Sequence, residues 1–295
     1  MTKPLEFTGE RFTPECVREI WYEHLHRYVF ARELVGGLNV LDAACGEGYG
    51  SALLATVASG VIGVDVSTQA IEHARSRYSA DSLEFHVADC LDLPFDDDSF
   101  DCVVSFETLE HLEAHDRLMT EFRRVLKPKG FLLISSPDKA IYTDRLKNEN
   151  EFHLRELYRD EFEGLLGRYF PAFRIFGQKL VFQSAIWPLG ETSGVRFHQE
   201  RDGSVSSCDA PHHAPVYLIA VCAADENCLP SHRPGLSLFD DAAESVYEHY
   251  NEEVRKHIAA GKLLAEQEKE LAELKARLRN RSTGSGWWSR WFGKS

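Results

Sequence analysis

Val40-Leu41-Asp42-Ala43-Ala44-Cys45-Gly46-Glu47-Gly48-Tyr49-Gly50 places a glycine-rich turn between a short apolar run and the helix-forming segment Ser51-Ala52-Leu53-Leu54-Ala55. Strand, tight turn and helix therefore follow one another, and without side chains in the way the backbone of the turn can approach a ligand closely. In a parallel α/β sheet such a turn lies at the carboxyl end of its strand.

Outward from this turn, residues 39–136 alternate short apolar runs with helix-like segments, the pattern of strands joined by crossover helices in a doubly wound α/β sheet. Strands are predicted at 40–42, 61–64, 83–87, 101–105 and 131–134, with two later runs, 173–186 and 216–222, completing the sheet. Ser67 is placed to cap a helix carrying Ala70, Ile71 and Ala74, and Leu118, Phe122, Val125 and Leu126 form a helical stripe that stops at Pro128-Lys129-Gly130. The polar stretch 190–213 between the later runs reads as a long flap or loop.

Two more acids mark strand ends. Asp65 closes the second strand, where a carboxylate can accept two hydrogen bonds from ribose hydroxyls. Asp89 closes the third, and the following Cys90, Leu91 and Leu93-Pro94-Phe95 would cover an adenine ring whose amino group the acid accepts. Turn and capping roles are the alternative for these acids. A nicotinamide dehydrogenase shares the glycine turn and ribose acid, but Ala44 breaks the dinucleotide fingerprint and no further substrate domain follows.

These residues, with Phe100-Asp101-Cys102-Val103-Val104-Ser105-Phe106 and Leu126-Lys127-Pro128-Lys129-Gly130, resemble the class I S-adenosylmethionine-dependent methyltransferases over residues 39–136. The resemblance implies a seven-stranded sheet whose last strand is antiparallel, and S-adenosylmethionine as cofactor. By the same resemblance the cofactor meets Asp42, Ala44, Gly46 and Gly48 at the first turn, Asp65 and Val66 at the second, Asp89, Cys90 and Leu91 at the third, and Phe106 at the fourth. Ala44 stands where the family usually has its first glycine. Thr8-Gly9-Glu10-Arg11-Phe12-Thr13-Pro14-Glu15 and Glu23-His24-Leu25-His26-Arg27-Tyr28 resemble the opening of bacterial O-antigen and surface-glycan sugar methyltransferases. This implies that 1–38 caps the cofactor pocket and that the acceptor is a sugar or glycan, which a membrane-bound tail would let be lipid-linked. A small molecule or lipid as acceptor, and a non-catalytic scaffold that kept the fold, are the competing readings.

Methyl transfer to a hydroxyl needs positioning and removal of a proton. Phe106-Glu107-Thr108-Leu109-Glu110-His111-Leu112 follows the fourth strand and makes His111 the leading base, because its ordinary pKa is close to operating pH. Helical spacing would bring Glu107, Glu110 and His111 onto one face, and Asn150-Glu151-Phe152-His153 can add a second imidazole. The predicted catalytic set is His111, Glu110 and His153. The constellation also resembles the metal site of small-RNA 3′-end methyltransferases, which implies a divalent ion on Glu107, Glu110, His111 and His153. Zinc or iron suits such donors better than magnesium or manganese. Purely structural roles are the third possibility.

The chain of 295 residues has 33 basic and 47 acidic side chains, net −14, which argues against gripping a nucleic-acid backbone. After Glu273 there is no acid, while Lys275, Arg277, Arg279, Arg281, Arg290 and Lys294 follow. Seven scattered cysteines without a CxxC, no long apolar run and no apolar stretch at the N-terminus point to a reduced, cytoplasmic protein. From 240 to 281 a heptad frame puts Tyr250, His257, Leu264, Leu271 and Leu278 at one seam position, so this segment is a solvated helix or a coiled coil through which chains associate. Residues 282–295 open with a Gly/Ser linker and end in Trp287-Trp288-Ser289-Arg290-Trp291-Phe292-Gly293-Lys294, an aromatic and basic tail suited to the inner-membrane surface or to a partner protein.

Overall fold

β1 (Asn39–Ala43), β2 (Gly60–Asp65) and β3 (Leu83–Val87) run parallel, side by side in that order, and β4 (Phe100–Ser105) and β5 (Leu126–Pro137) extend the parallel sheet on the other side of β1. β6 (Ala172–Gln178) forms the far edge, and β9 (Tyr217–Ala223) lies between β5 and β6, antiparallel to both. The seven-stranded sheet with an antiparallel last strand is thus observed. Its order reverses between β1 and β4, the place where a crevice opens at the carboxyl ends of the strands. The computed structural model describes residues 19–186, 195–201, 203–209, 211, 213–231 and 235–284.

Successive strand residues point to opposite faces, and the core divides accordingly. Leu41, Val103 and Leu132 face α4 (His115–Val125) and α5 (Arg159–Tyr169), burying Leu118, Phe122 and Val125 of the first and Phe162 and Leu166 of the second. Val40, Val104 and Leu133 face the other way, against Tyr28, Phe30 and Ala31 of α1 (Glu19–Arg32) and Leu54 of α2 (Tyr49–Leu54). The Ser67 cap forms as expected, accepting from the Ala70 amide at the start of α3 (Thr68–Arg77), whose Ala70, Ile71 and Ala74 are buried.

Three local readings change. Helix α4 ends at Val125, and Leu126 already pairs with Phe100; the register then shifts so that Cys102 meets Phe131, which loops Pro128 and its neighbours out of the ladder. The run 173–186 is a strand only to Gln178, because its partner β9 begins at Tyr217 opposite that residue and offers nothing further to pair with. Part of 190–213 is an antiparallel hairpin, β7 (Phe197–Arg201) with β8 (Ser204–Cys208); residues 187–194 lie outside the described ones.

The chain divides into the units Met1–Phe239 and Asp240–Ser295. The second holds α6 (Ser245–Gly284), 40 residues and so roughly 60 Å long, with Tyr250, Leu264, Leu271, Leu274 and Leu278 exposed. No helix among the described residues is long and apolar enough to cross a membrane. The segment Thr8 to Glu15 and the tryptophan tail fall outside the described residues.

Candidate active site

The glycine turn takes its shape from three left-handed residues, Ala44 at φ +60°, Gly46 at +57° and Gly48 at +87°. A Cβ on Gly48 would meet two Phe85 ring carbons at 2.6 Å and Ala74 Cβ at 2.8 Å, so packing as well as conformation requires glycine there. A Cβ on Gly46 would meet nothing within 4 Å, which leaves open space above that turn for a ligand. Ala44 adopts a conformation in which Cβ crowds the following carbonyl, the reason glycine is favoured at such a place.

Asp65 reaches across this turn. Its Oδ2 accepts from the Gly46 amide at 3.0 Å and its Oδ1 from the Ser67 amide at 2.8 Å, fixing a nearly buried carboxylate beside the open space. Val66 next to it is 71% exposed, an apolar surface with no protein cover. At the end of β3, exposed Asp89 accepts from the Leu91 amide at 2.8 Å, while Cys90 is buried beneath it. Phe106, after β4, is buried edge-on to Tyr28 at 5.2 Å. Ala44 to Gly48, Asp65, Val66, Asp89 and Leu91 therefore lie together at the carboxyl ends of three adjacent strands.

Asp42 is placed differently from the expectation. It is fully buried, and its carboxylate accepts from Ser51 Oγ at 2.6 Å and from Tyr28 Oη at 3.1 Å, tying α1, β1 and α2 together beneath the turn instead of facing a ligand. Burial pushes its pKa up to about 7, against the pull of the Ser51 and Tyr28 hydroxyls.

After β4 the expected helical register breaks. Glu107 has φ +53°, and only a 3-10 turn at Leu109–His111 follows, so Glu107 does not share a face with the other two. Its Oε1 instead accepts from Ser135 Oγ at 2.6 Å, and its Oε2 lies 3.9 Å from Arg27 Nη2. Glu110, His111 and His153 do converge: one ligand atom from each lies within 4.8 Å of the others.

Within this group the tautomers are set by their partners. His111 Nδ1 lies 3.0 Å from the Phe152 carbonyl, which can only accept, so Nδ1 carries the proton and Nε2 is the basic nitrogen. His153 Nδ1 lies 2.6 Å from Glu156 Oε1, and Glu156 in turn accepts from Thr143 Oγ1. A carboxylate behind an imidazole is the arrangement that orients histidines toward a metal. Glu110 is 1% exposed and neither of its oxygens has a hydrogen-bond partner; burial, then the charge of Glu107, holds its carboxyl well above the usual range. An orphaned buried carboxylate facing two oriented imidazoles fits a divalent ion, with Glu107 outside the set. A cleft of about 650 Å³ opens beside it, lined by Lys139, Thr143, Asn148, Asn150, His153 and Glu156 among others.

Sequence reasoning passed over Arg27, whose guanidinium is buried between α1 and the end of β6, with Nη1 donating to Gln178 Oε1 at 2.7 Å and Cζ 4.9 Å from the Tyr217 ring centre. These partners are 151 and 190 residues away, and no local pattern announces them.

Residues 41–134 match the family model described as a methyltransferase domain. The chain is 40% identical over 165 residues to a protein of Mycobacterium tuberculosis described as a probable S-adenosylmethionine-dependent methyltransferase, an alignment covering 55% of this chain and 60% of that one. It is 36% identical over 137 residues to the methyltransferase GfsG of Streptomyces halstedii, 45% of each chain. The crystal structure of an S-adenosylmethionine-dependent methyltransferase from Thermotoga maritima superposes with a TM-score of 0.49 at 17% identity, over 74% of this chain and 92% of that one. The chain spans about 60% of the length of the first relative. The family match falls on the segment holding the glycine turn, Asp65, Asp89 and the Glu107–His111 stretch: residues 41–134 are similar to a methyltransferase domain.

Proposed function

We propose that this chain transfers a methyl group from S-adenosylmethionine to a hydroxyl of a bacterial surface-glycan sugar, of the O-antigen or lipopolysaccharide kind. The observation that carries the reading is the juxtaposition of the Glu110, His111 and His153 cluster with a cleft whose lining of Lys139, Thr143, Asn148 and Asn150 suits a polyhydroxyl acceptor. Bound S-adenosylmethionine supplies an electrophilic methyl on a sulfonium sulfur. The open turn at Gly46 and the carboxylate of Asp65 hold its adenosine end, so that positioning lowers much of the barrier. His111 Nε2 takes the proton of the acceptor hydroxyl, its ring held by the Phe152 carbonyl. Glu156 keeps the lone pair of His153 on Nε2.

Where a divalent ion sits on Glu110, His111 and His153, it would lower the pKa of that hydroxyl. The base and metal roles of His111 exclude each other, and a chelator separates them. The tail, with three tryptophans among basic residues, would bring the enzyme to lipid-linked acceptors at the inner membrane, and α6 offers a surface for self-association; nucleic acid is not a partner in this reading.

The test incubates the protein with labelled S-adenosylmethionine and lipid-linked glycans from the source cells, with fatty acids and small phenols as competing acceptors. Label in a sugar is expected; label confined to the other acceptors replaces the glycan reading with a lipid or small-molecule one. His111→Ala should lower turnover by roughly 10²- to 10⁴-fold while leaving S-adenosylhomocysteine affinity nearly unchanged. Full turnover in that variant removes His111 from the chemistry.

A further inference from the structure

Beneath the glycine turn, His73 Nε2 lies 2.9 Å from Glu47 Oε2, with the two side chains only 8% and 1% exposed. Glu47 is the tip of the turn, between Gly46 and Gly48, and His73 belongs to α3. A carboxylate buried this deeply is costly unless a partner answers it, and an imidazole at this distance does so. Neither residue belongs to the proton-transfer cluster after β4 or to the strand-end acids.

The tip needs such a hold. Two left-handed glycines flank Glu47, and a glycine backbone is free to leave that shape. The turn is fixed on either side of its tip. On one side the Cys45 amide donates to the Val64 carbonyl at 2.8 Å and the Gly46 amide to Asp65 Oδ2 at 3.0 Å. On the other, Phe85 and Ala74 leave room for nothing larger than glycine at position 48, and Ala74 follows His73 on α3. The Glu47 side chain pins the tip to the same turn of that helix. Helix α3 in turn starts at Ser67, whose amide donates to the other oxygen of Asp65. Glycine turn, strand-end acid and α3 thus close into one frame beside the open space above Gly46.

We propose that the buried Glu47–His73 pair is a positioning device for the methyl donor: it clamps the tip of the glycine turn to α3, so that the turn meets the cofactor already in its bound shape. A turn held this way loses no further conformational entropy when the ligand arrives, which is how preorganisation raises affinity. With so little of either side chain exposed, an effect on ligand affinity passes through the turn and not through direct contact. The proposal rests on the methyltransferase reading and deepens it at the cofactor site.

Calorimetric titration of the full chain with S-adenosylhomocysteine tests it. His73→Ala and Glu47→Ala should each weaken binding at least tenfold, and the double variant should be no weaker than the worse single one, because an open clamp has nothing more to lose. Glu47→Gln keeps an oxygen for His73 and should stay within about threefold of the wild type. Amide hydrogen exchange at Gly46 and Gly48 should quicken at least tenfold in the unliganded alanine variants and return to the wild-type rate under saturating S-adenosylhomocysteine, whereas a loss of global stability would spread over the whole sheet. Glu47→Asp, whose carboxylate is one methylene too short to reach His73, should weaken binding at least threefold and serves where the alanine variants lose their circular dichroism. Affinity within twofold of the wild type in a folded His73→Ala or Glu47→Asp protein overturns the clamp, and so do losses that add in the double variant. In each of these cases the wild type still binds, so the methyltransferase reading stands; a wild type that does not bind S-adenosylhomocysteine overturns that reading and the clamp with it.

Discussion

Replacing Asp42 by asparagine should make the protein more stable at pH 8 than the wild type, by an amount that disappears in acid. Asp42 is fully buried, and burial is the largest influence on it, with Ser51 and Tyr28 pulling its pKa back down and Asp65 pushing it further up, to about 7 against an ordinary 3.8. The folded state therefore holds this proton more tightly than the unfolded chain does. Its contribution to stability is present in full below pH 3.8 and is lost as pH rises through 7. Each pH unit across that window is worth about 1.36 kcal/mol, so ionisation of the buried carboxyl costs about 4 kcal/mol once complete. The asparagine side chain has nearly the same shape, can still accept from Ser51 Oγ, and never ionises. Other titrating groups, including the buried Glu110, are common to both proteins and cancel in the difference. Urea unfolding midpoints at unit steps from pH 4 to pH 8 should show the stability difference between variant and wild type growing by about 4 kcal/mol toward high pH. A difference that stays flat to within about 1 kcal/mol would refute the reasoning and place Asp42 in contact with water.

Ala44→Gly should stabilise the protein by up to about 1 kcal/mol in the same assay, because relief of the left-handed conformation at φ +60° outweighs the extra freedom glycine has when unfolded; a loss of stability would contradict it. Gly48→Ala should do the opposite and cost more than about 2 kcal/mol, since its Cβ falls 2.6 Å from the Phe85 ring at φ +87°; an unchanged melting temperature would show that the turn can move aside. Asp65→Ala should weaken S-adenosylhomocysteine by roughly 3 kcal/mol, about a hundredfold, and unchanged calorimetric affinity in a folded variant would remove Asp65 from the site. A chain ending at Gly286 should stay in the supernatant with anionic vesicles while the full chain sediments and is released by salt; equal sedimentation would assign the tryptophan cluster to a protein partner.

What the sequence alone determined is what local patterning encodes. Five parallel strands, the Ser67 cap and the glycine turn were legible because each signal is complete within a short stretch of chain, and Asp65 was legible because a strand end places it whatever the rest of the chain does. Where a segment continued without its own punctuation the reading slipped: 173–186 carries apolar residues to its end, but β9 supplies a partner only as far as Gln178. The site divides the same way. His111, Glu110 and His153 were singled out in the sequence and the fold brings them together, yet only the tertiary structure separates Glu107 from them, because one left-handed residue after β4 undoes the helical spacing that the sequence suggests. Asp42 looked like a ligand contact and is a buried tie between three elements; Arg27 was noted only as part of a stretch that carries a family resemblance and is a buried fork with two unmatched donors. Both outcomes depend on burial and on partners such as Tyr28, Gln178 and Tyr217. Those contacts exist only after the sheet has brought distant segments together, and burial, unlike periodicity, is a property of the whole fold.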